Sequence, residues 1–282
     1  MKELAGRRAA LATRHGKERA LGPALAGLGI EIAVAAVDTD AFGTFTGEVP
    51  RPGDMLETAV AKARAGMARL GLDLGLASEG AFGGSFGGLA AGATELVALV
   101  DDAAGRVVHV VRSGLRTNHG MIEITSAAAL GDFPDRVGFP EHGLVVQVDA
   151  PADGGPALEE KGIVDAGRLE AAVGRALERS AGHRARVETD MRAHLNPTRM
   201  ATIAEVAGAL AERLAARCPA CGARGAGPVD VRRGLPCADC GAPTSLVRAV
   251  VEGCEACGRR EERPRDDGLS RADPQWCPLC NP

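Results

Sequence analysis

Short apolar runs alternate with helical periodicities along the first 200 residues. Residues 7–13 form an apolar run that predicts a first strand, and Arg14-His15-Gly16-Lys17 predicts the turn after it. Within 18–28, Leu21, Ala24, Leu25 and Leu28 recur at helical spacing. Residues 30–37 read as a second, buried strand. A strand–loop–helix–strand opening marks an α/β domain. After a loop over 38–51, a helix begins near Asp54 and carries the apolar stripe Leu56, Val60, Ala63, Met67 and Leu70. Residues 73–78 predict a short strand. Residues 80–92 hold six glycines and no charge, which predicts a flexible loop or lid. The runs 94–100 and 106–112 flank Asp101-Asp102-Ala103-Ala104-Gly105 and predict a hairpin. Residues 121–125 and 143–148 are further strand candidates, 149–156 a surface turn, and 165–180 an amphipathic helix with Leu169, Val173, Ala176 and Leu177. A polar stretch over 186–199 precedes a last helix at 201–217. The fold expected is α/β, a mixed twisted sheet flanked by helices over residues 1–217, followed by a small Cys-rich tail over 218–282.

Composition narrows the function classes. The chain of 282 residues is 45% hydrophobic and 25% charged, enough to bury a core. Aromatics make up 2%, with no Tyr and one Trp, so platforms for stacking bases are scarce. The net charge is −4 with no long basic run, which argues against a general nucleic-acid coat. The first twenty residues show no apolar signal-peptide core, and no run approaches the roughly 18 apolar residues of a membrane span. A cytoplasmic protein with no membrane partner is expected.

All eight cysteines lie in the tail, as four Cys-x-x-Cys units: Cys218/Cys221, Cys237/Cys240, Cys254/Cys257 and Cys277/Cys280. A tight turn at that spacing aims two thiolates inward, and two such knuckles complete a tetrahedral zinc site. Two structural zinc ions are expected, held as a double zinc ribbon. Redox pairs of this spacing occur singly in a thioredoxin-like setting, which these do not have. Consecutive and nested pairing of the knuckles both fit the spacing. Nine arginines in the tail are matched by nine Asp and Glu, which favours a structural or docking role over DNA binding.

Candidate chemistry gathers earlier in the chain. There are four lysines against 29 arginines, and between Glu3 and Glu160 only Lys17 and Lys62 occur. A compact point charge suits phosphate oxygens. Glu79 ends an apolar strand before the glycine-rich stretch, where ligands gather in open α/β sheets. Glu57 has two readings, a metal ligand or the N3 residue of a capping box with Asp54. His119, in a polar turn, and Asp190, His194 and Arg199, farther on, are additional candidates.

At these positions the chain resembles a known family. Ala12-Thr13-x-x-x-Lys17, Glu57-x-Ala59-x-x-Lys62-Ala63-Arg64 and Ala77-Ser78-Glu79-Gly80 look like motifs of the inosine/xanthosine triphosphate pyrophosphatase superfamily. The resemblance covers about residues 7–115 and rests on short motifs. It implies Mg²⁺-dependent hydrolysis of a nucleoside triphosphate, including non-canonical purines, to monophosphate and pyrophosphate. Thr13, Arg14, His15, Gly16 and Lys17 would hold the triphosphate, with Ser78, Gly80, His194 and Arg199 also on the substrate. Glu57 and Glu79 would hold Mg²⁺ and activate water, and Lys62 would neutralise charge. The chain as a whole also resembles an uncharacterised bacterial domain family with the same tail. The alternative function is a non-catalytic α/β domain that binds a phosphorylated small molecule, its zinc tail docking a protein or nucleic acid.

Overall fold

The computed structural model describes residues 4–43, 52–85, 90–148 and 158–282. Alternating small and branched residues build a main sheet with two covered faces. It contains β1 (Arg8–Ala12), β2 (Glu31–Ala35), β3 (Leu74–Ser85), β4 (Ala90–Asp101) and β5 (Arg106–Gly114), in the spatial order β2-β1-β3-β4-β5. Strand β1 runs parallel to β2 and β3, whereas β3, β4 and β5 form an antiparallel meander. Ala9, Leu11, Leu74, Leu76, Val97, Leu99 and Val108 point to one face, where α1 (Glu18–Ala26) and the much later α5 (Pro197–Ala215) cover them. Ala10, Ala77, Ala98 and Val100 point to the other face, against Ala59, Ala63 and Met67 of α2 (Met55–Leu70). This period of two places a core on each side of one sheet.

A second lobe follows. Strands β6 (Met121–Ile124), β7 (Leu144–Val148), β8 (Leu158–Ile163) and β9 (Ala185–Thr189) make an antiparallel sheet in the order β6-β9-β7-β8. Its core face packs on Leu169, Ala172, Val173 and Ala176 of α4 (Ala166–Arg179), with Phe133 of the short α3 (Phe133–Arg136) closing one end. Asp165 caps α4 by accepting from Arg168 N. The cysteine tail adds a third sheet, β10 (Gly227–Arg233), β11 (Val247–Gly253) and β12 (Arg260–Pro264), antiparallel throughout. Arg213, in the last turn of α5, joins tail to body, donating to His109 O at 2.6 Å and Gly225 O at 3.4 Å.

The molecule is thus a mixed α/β body with a Cys-rich end. The glycine-rich stretch is where it departs most from expectation. Residues 80–85 continue β3 rather than forming a loop, paired with β4 out to Ser85↔Ala90. The ladder is made by backbone groups, which glycine supplies as well as any residue. Residues 86–89 of that stretch, 44–51 of the loop after β2, and the turn at 149–156 lie outside the described residues. Helix α5 starts four residues before the expected position, with Asn196 as its cap, accepting from Arg199 N, and Pro197 in its first turn. Strand β9 occupies the beginning of the stretch read as merely polar.

Candidate functional site

A cleft open to solvent lies between the main sheet and the second lobe. Its walls come from four places. The loop after β1 supplies Thr13, His15 and Lys17, and the turn after β2 supplies Thr39 and Asp40. Strand β3 and helix α2 supply Ser78, Glu79, Gly80 and Lys62. The second lobe and α5 add Lys161, Arg192 and Arg199. Five cationic side chains and two carboxylates therefore face one space. It sits past the carboxyl ends of β1 and β2, where ligands of α/β sheets collect.

Each cation is held in place. Lys62, on the buried face of α2, donates to Glu79 at 2.5 Å. Arg199 is buried and donates to both Glu95 carboxylate oxygens, at 3.2 and 3.4 Å, and to Met191 O at 2.5 Å. Its guanidinium also lies over the Phe82 ring, 5.0 Å from the centroid. Arg199 thereby ties β4 to the segment that follows β9. Gly80 makes this possible, because a Cβ there would come within 2.6 Å of both Arg199 and Glu95. Arg192 pairs with the fully buried Asp190 at 2.6 Å, and Lys161 pairs with Glu159 at 2.6 Å. Lys17 differs: its Nζ donates to the backbone oxygen of Ser78 at 3.0 Å. Burial, reinforced by Arg199, pushes the Lys17 amine down to about 8. His15 stacks on His194, ring centroids 4.9 Å apart, and burial pushes it down to about 3, so the ring is neutral near pH 7. The Ser78 hydroxyl is buried and has no hydrogen-bond partner among the described residues.

The structure thus brings Thr13, His15, Lys17, Lys62, Ser78, Glu79, Gly80 and Arg199 to one cleft. Others among the expected residues stand apart from its walls. Glu57 completes a capping box with Asp54: its carboxylate accepts from Asp54 N at 3.0 Å, and its own N–H donates to Asp54 at 2.8 Å. Arg14 is exposed and pairs with Asp38, Gly16 supplies a left-handed turn with φ of 66°, and His194 backs His15. His119 keeps a buried Nδ1 with no partner among the described residues and lies 6.3 Å from the Phe82 ring. Lys161, Arg192 and Asp40 were not singled out from the sequence. Lysine scarcity carried a signal for Lys161 that stops short only because its strand was not recognised.

Among the described residues, the groups of three or more His, Cys, Asp or Glu close enough to share a metal are the two cysteine sets. Cys218, Cys221, Cys254 and Cys257 form one, and Cys237, Cys240, Cys277 and Cys280 the other. Four sulfurs at the usual zinc bond length around a tetrahedral ion sit about 3.8 Å apart. Sulfurs of paired knuckles approach to 3.8 Å (Cys218–Cys257 and Cys221–Cys254), 3.9 Å (Cys237–Cys280) and 3.6 Å (Cys240–Cys277). The geometry is compatible with two structural zinc ions. The pairing is crossed, first knuckle with third and second with fourth, and is neither of the arrangements expected from spacing. Strand β11 explains it, since it lies between β10 and β12 and carries the third knuckle back beside the first. The N–H after each knuckle donates to its first cysteine: Gly222, Gly241, Gly258 and Asn281 bond Cys218, Cys237, Cys254 and Cys277. The three glycines sit at φ of 71–73°, where a side chain would be strained.

No helix among the described residues is long and apolar enough to cross a membrane. No curated protein and no solved structure matches the chain. A protein family does match, over residues 62–282, from α2 through both cysteine sites to the last residue. The chain therefore belongs to the family described as DUF6671, a domain of unknown function.

Proposed function

We propose that the cleft binds a nucleoside triphosphate and hydrolyses it, with Mg²⁺, to monophosphate and pyrophosphate. The observation that carries this reading is the placement of lysine. Of four lysines in a chain with 29 arginines, Lys17, Lys62 and Lys161 line the same cleft. Point charges converging from both lobes suit the oxygens of a polyphosphate. Lys17, Lys62 and Arg199 offset charge from the side of the main sheet, and Lys161 and Arg192 from the second lobe. The unpartnered Ser78 hydroxyl supplies a hydrogen bond to a phosphoryl oxygen. Mg²⁺ is commonly held by one or two carboxylates together with substrate phosphates. Glu79 and Asp40 are the carboxylates that line the cleft, and they fit that donor set. Bound there, the ion would polarise the phosphoryl oxygens under attack. Glu79, held by Lys62, orients the attacking water. The sequence resemblance to the inosine/xanthosine triphosphate pyrophosphatases supports the same chemistry and points to a purine.

The test is pyrophosphate release from a panel of nucleoside triphosphates, including inosine and xanthosine triphosphate, with Mg²⁺. Glu79→Gln is expected to lower kcat by about 100-fold, the weight of a positioned acid–base group. Absence of turnover with every nucleotide, or an unaffected Glu79→Gln variant, would overturn hydrolysis. One observation favours a second reading, binding without catalysis: Glu57 is used up in the helix cap, leaving fewer acids for metal than the resemblance implies. Tight binding of pyrophosphate without turnover would select that reading. In either case the zinc tail serves as a docking element, and a protein partner suits it better than nucleic acid. Several of its arginines are neutralised in place, Arg232 and Arg248 by Glu262, Arg260 by Glu255, and Arg263 by Glu252.

A further inference from the structure

We propose that Lys17 is an imine-forming amine, and that phosphorylated aldehydes and ketones are a class of ligand this cleft captures covalently. The second half rests on the phosphate-binding reading above, and the first does not.

The three lysines of the cleft are not equivalent. Lys62 is tied to Glu79 at 2.5 Å and Lys161 to Glu159 at 2.6 Å. Among the described residues, the Lys17 side chain makes one hydrogen bond, to a neutral acceptor, the Ser78 carbonyl. That bond fixes the amine at the cleft wall. Four charged groups act on it: Arg199 from α5 and Lys62 from α2 disfavour the ammonium, while Glu95 from β4 and Glu79 from β3 favour it less strongly than burial opposes it. The net result is an amine that loses its proton near pH 8, against an ordinary 10.5. A desolvated lysine beside other cations is the usual form of an imine-forming nucleophile. Its lone pair adds to a carbonyl carbon and the carbonyl π pair moves to oxygen. Both amine protons end on that oxygen, which leaves as water when the C=N bond forms. No oxidant, reductant or metal is needed. The buried Ser78 hydroxyl, lining the same cleft without a partner, can donate to the oxygen as it departs. Lys62, Arg199 and Arg192 remain for the phosphate.

The experiment uses the full, zinc-loaded chain and pyridoxal 5′-phosphate as probe, with borohydride reduction and peptide mapping. Four lysines make the map simple, and Lys2, Lys62 and Lys161 act as internal references. Label is expected on Lys17, with a rate that rises through a midpoint near pH 8, and it is expected to vanish in Lys17→Arg and Lys17→Met. Circular dichroism establishes that each variant is folded, and the wild-type map needs no variant. Pyridoxal lacking the phosphate should label Lys17 about tenfold less, the weight of one charge-assisted hydrogen bond, and pyrophosphate should protect. Label spread evenly over the lysines, or absent from Lys17, overturns the proposal while leaving hydrolysis of nucleotides intact. Equal labelling by pyridoxal and its phosphate, unprotected by pyrophosphate, overturns the phosphate-bearing ligand class and the phosphate-binding reading, while the reactive amine stands.

Discussion

At the scale of single residues, the cleft depends on how closely side chains approach one another. Gly80 is the sharpest case. Its Ala variant places a methyl group 2.6 Å from Arg199 and Glu95 and 2.8 Å from Phe82, so the Arg199–Glu95 pair must move. A loss of about 1–3 kcal/mol is expected from such overpacking, read from the denaturant midpoint. Gly83→Ala, with nothing among the described residues within 4 Å of the added atom, should be close to silent and serves as the control. Equal effects of the two would show that glycine is kept at 80 for strand flexibility rather than for room. The sequence marked Lys17, Lys62, Ser78 and Glu79 by residue type and by their place at strand and helix ends. It could not decide between the two roles of Glu57, because a capping acid and a metal acid stand at the same position of a helix. Only the direction of the side chain separates them, and it turns back to Asp54 N.

At the scale of elements, α2 performs two tasks with different residues. Its first turn is closed by Asp54 and Glu57, and the turn after carries Lys62 to the cleft. Asp54→Ala is expected to cost about 1 kcal/mol of stability. It should leave pyrophosphate affinity unchanged in calorimetry, whereas Lys62→Met weakens it. Should Asp54→Ala weaken binding as much as Lys62→Met, the separation of cap from cleft fails. Helices α1, α2 and α4 were legible because their apolar residues recur every three to four positions. The far half of β3 was not, because Gly80, Gly83 and Gly84 have no side chains to alternate. The true start of α5 was written in Asn196-Pro197, a cap followed by a residue preorganised for the first turn. The tail strands β10 and β12 escaped notice because they are rich in charged residues and poor in large apolar ones, and the cysteines took the place of a core.

At the scale of the whole molecule, the tail and the body are stabilised by different means. The body has cores on both faces of a five-stranded sheet. The tail's buried apolar cluster is small, Cys218, Ala226 and Cys254 with Ala223 packed against it. Such a segment folds on its metal. About two zinc ions per chain are expected by elemental analysis, given eight thiolates in two tetrahedral sets. Chelation should release amide protection in β10–β12 while the main sheet keeps its own, read by hydrogen exchange. A metal-free chain with a protected tail would falsify this account. The crossed pairing of knuckles has a consequence for a severed chain. A backbone cut between Cys240 and Cys254 leaves each fragment holding half of both cysteine sets, so two bound metals would bridge the break. With consecutive pairing the same cut would leave two self-contained pieces free to part. With zinc in both sets, the tail would survive proteolytic nicking between its inner knuckles and come apart only when the metal is withdrawn.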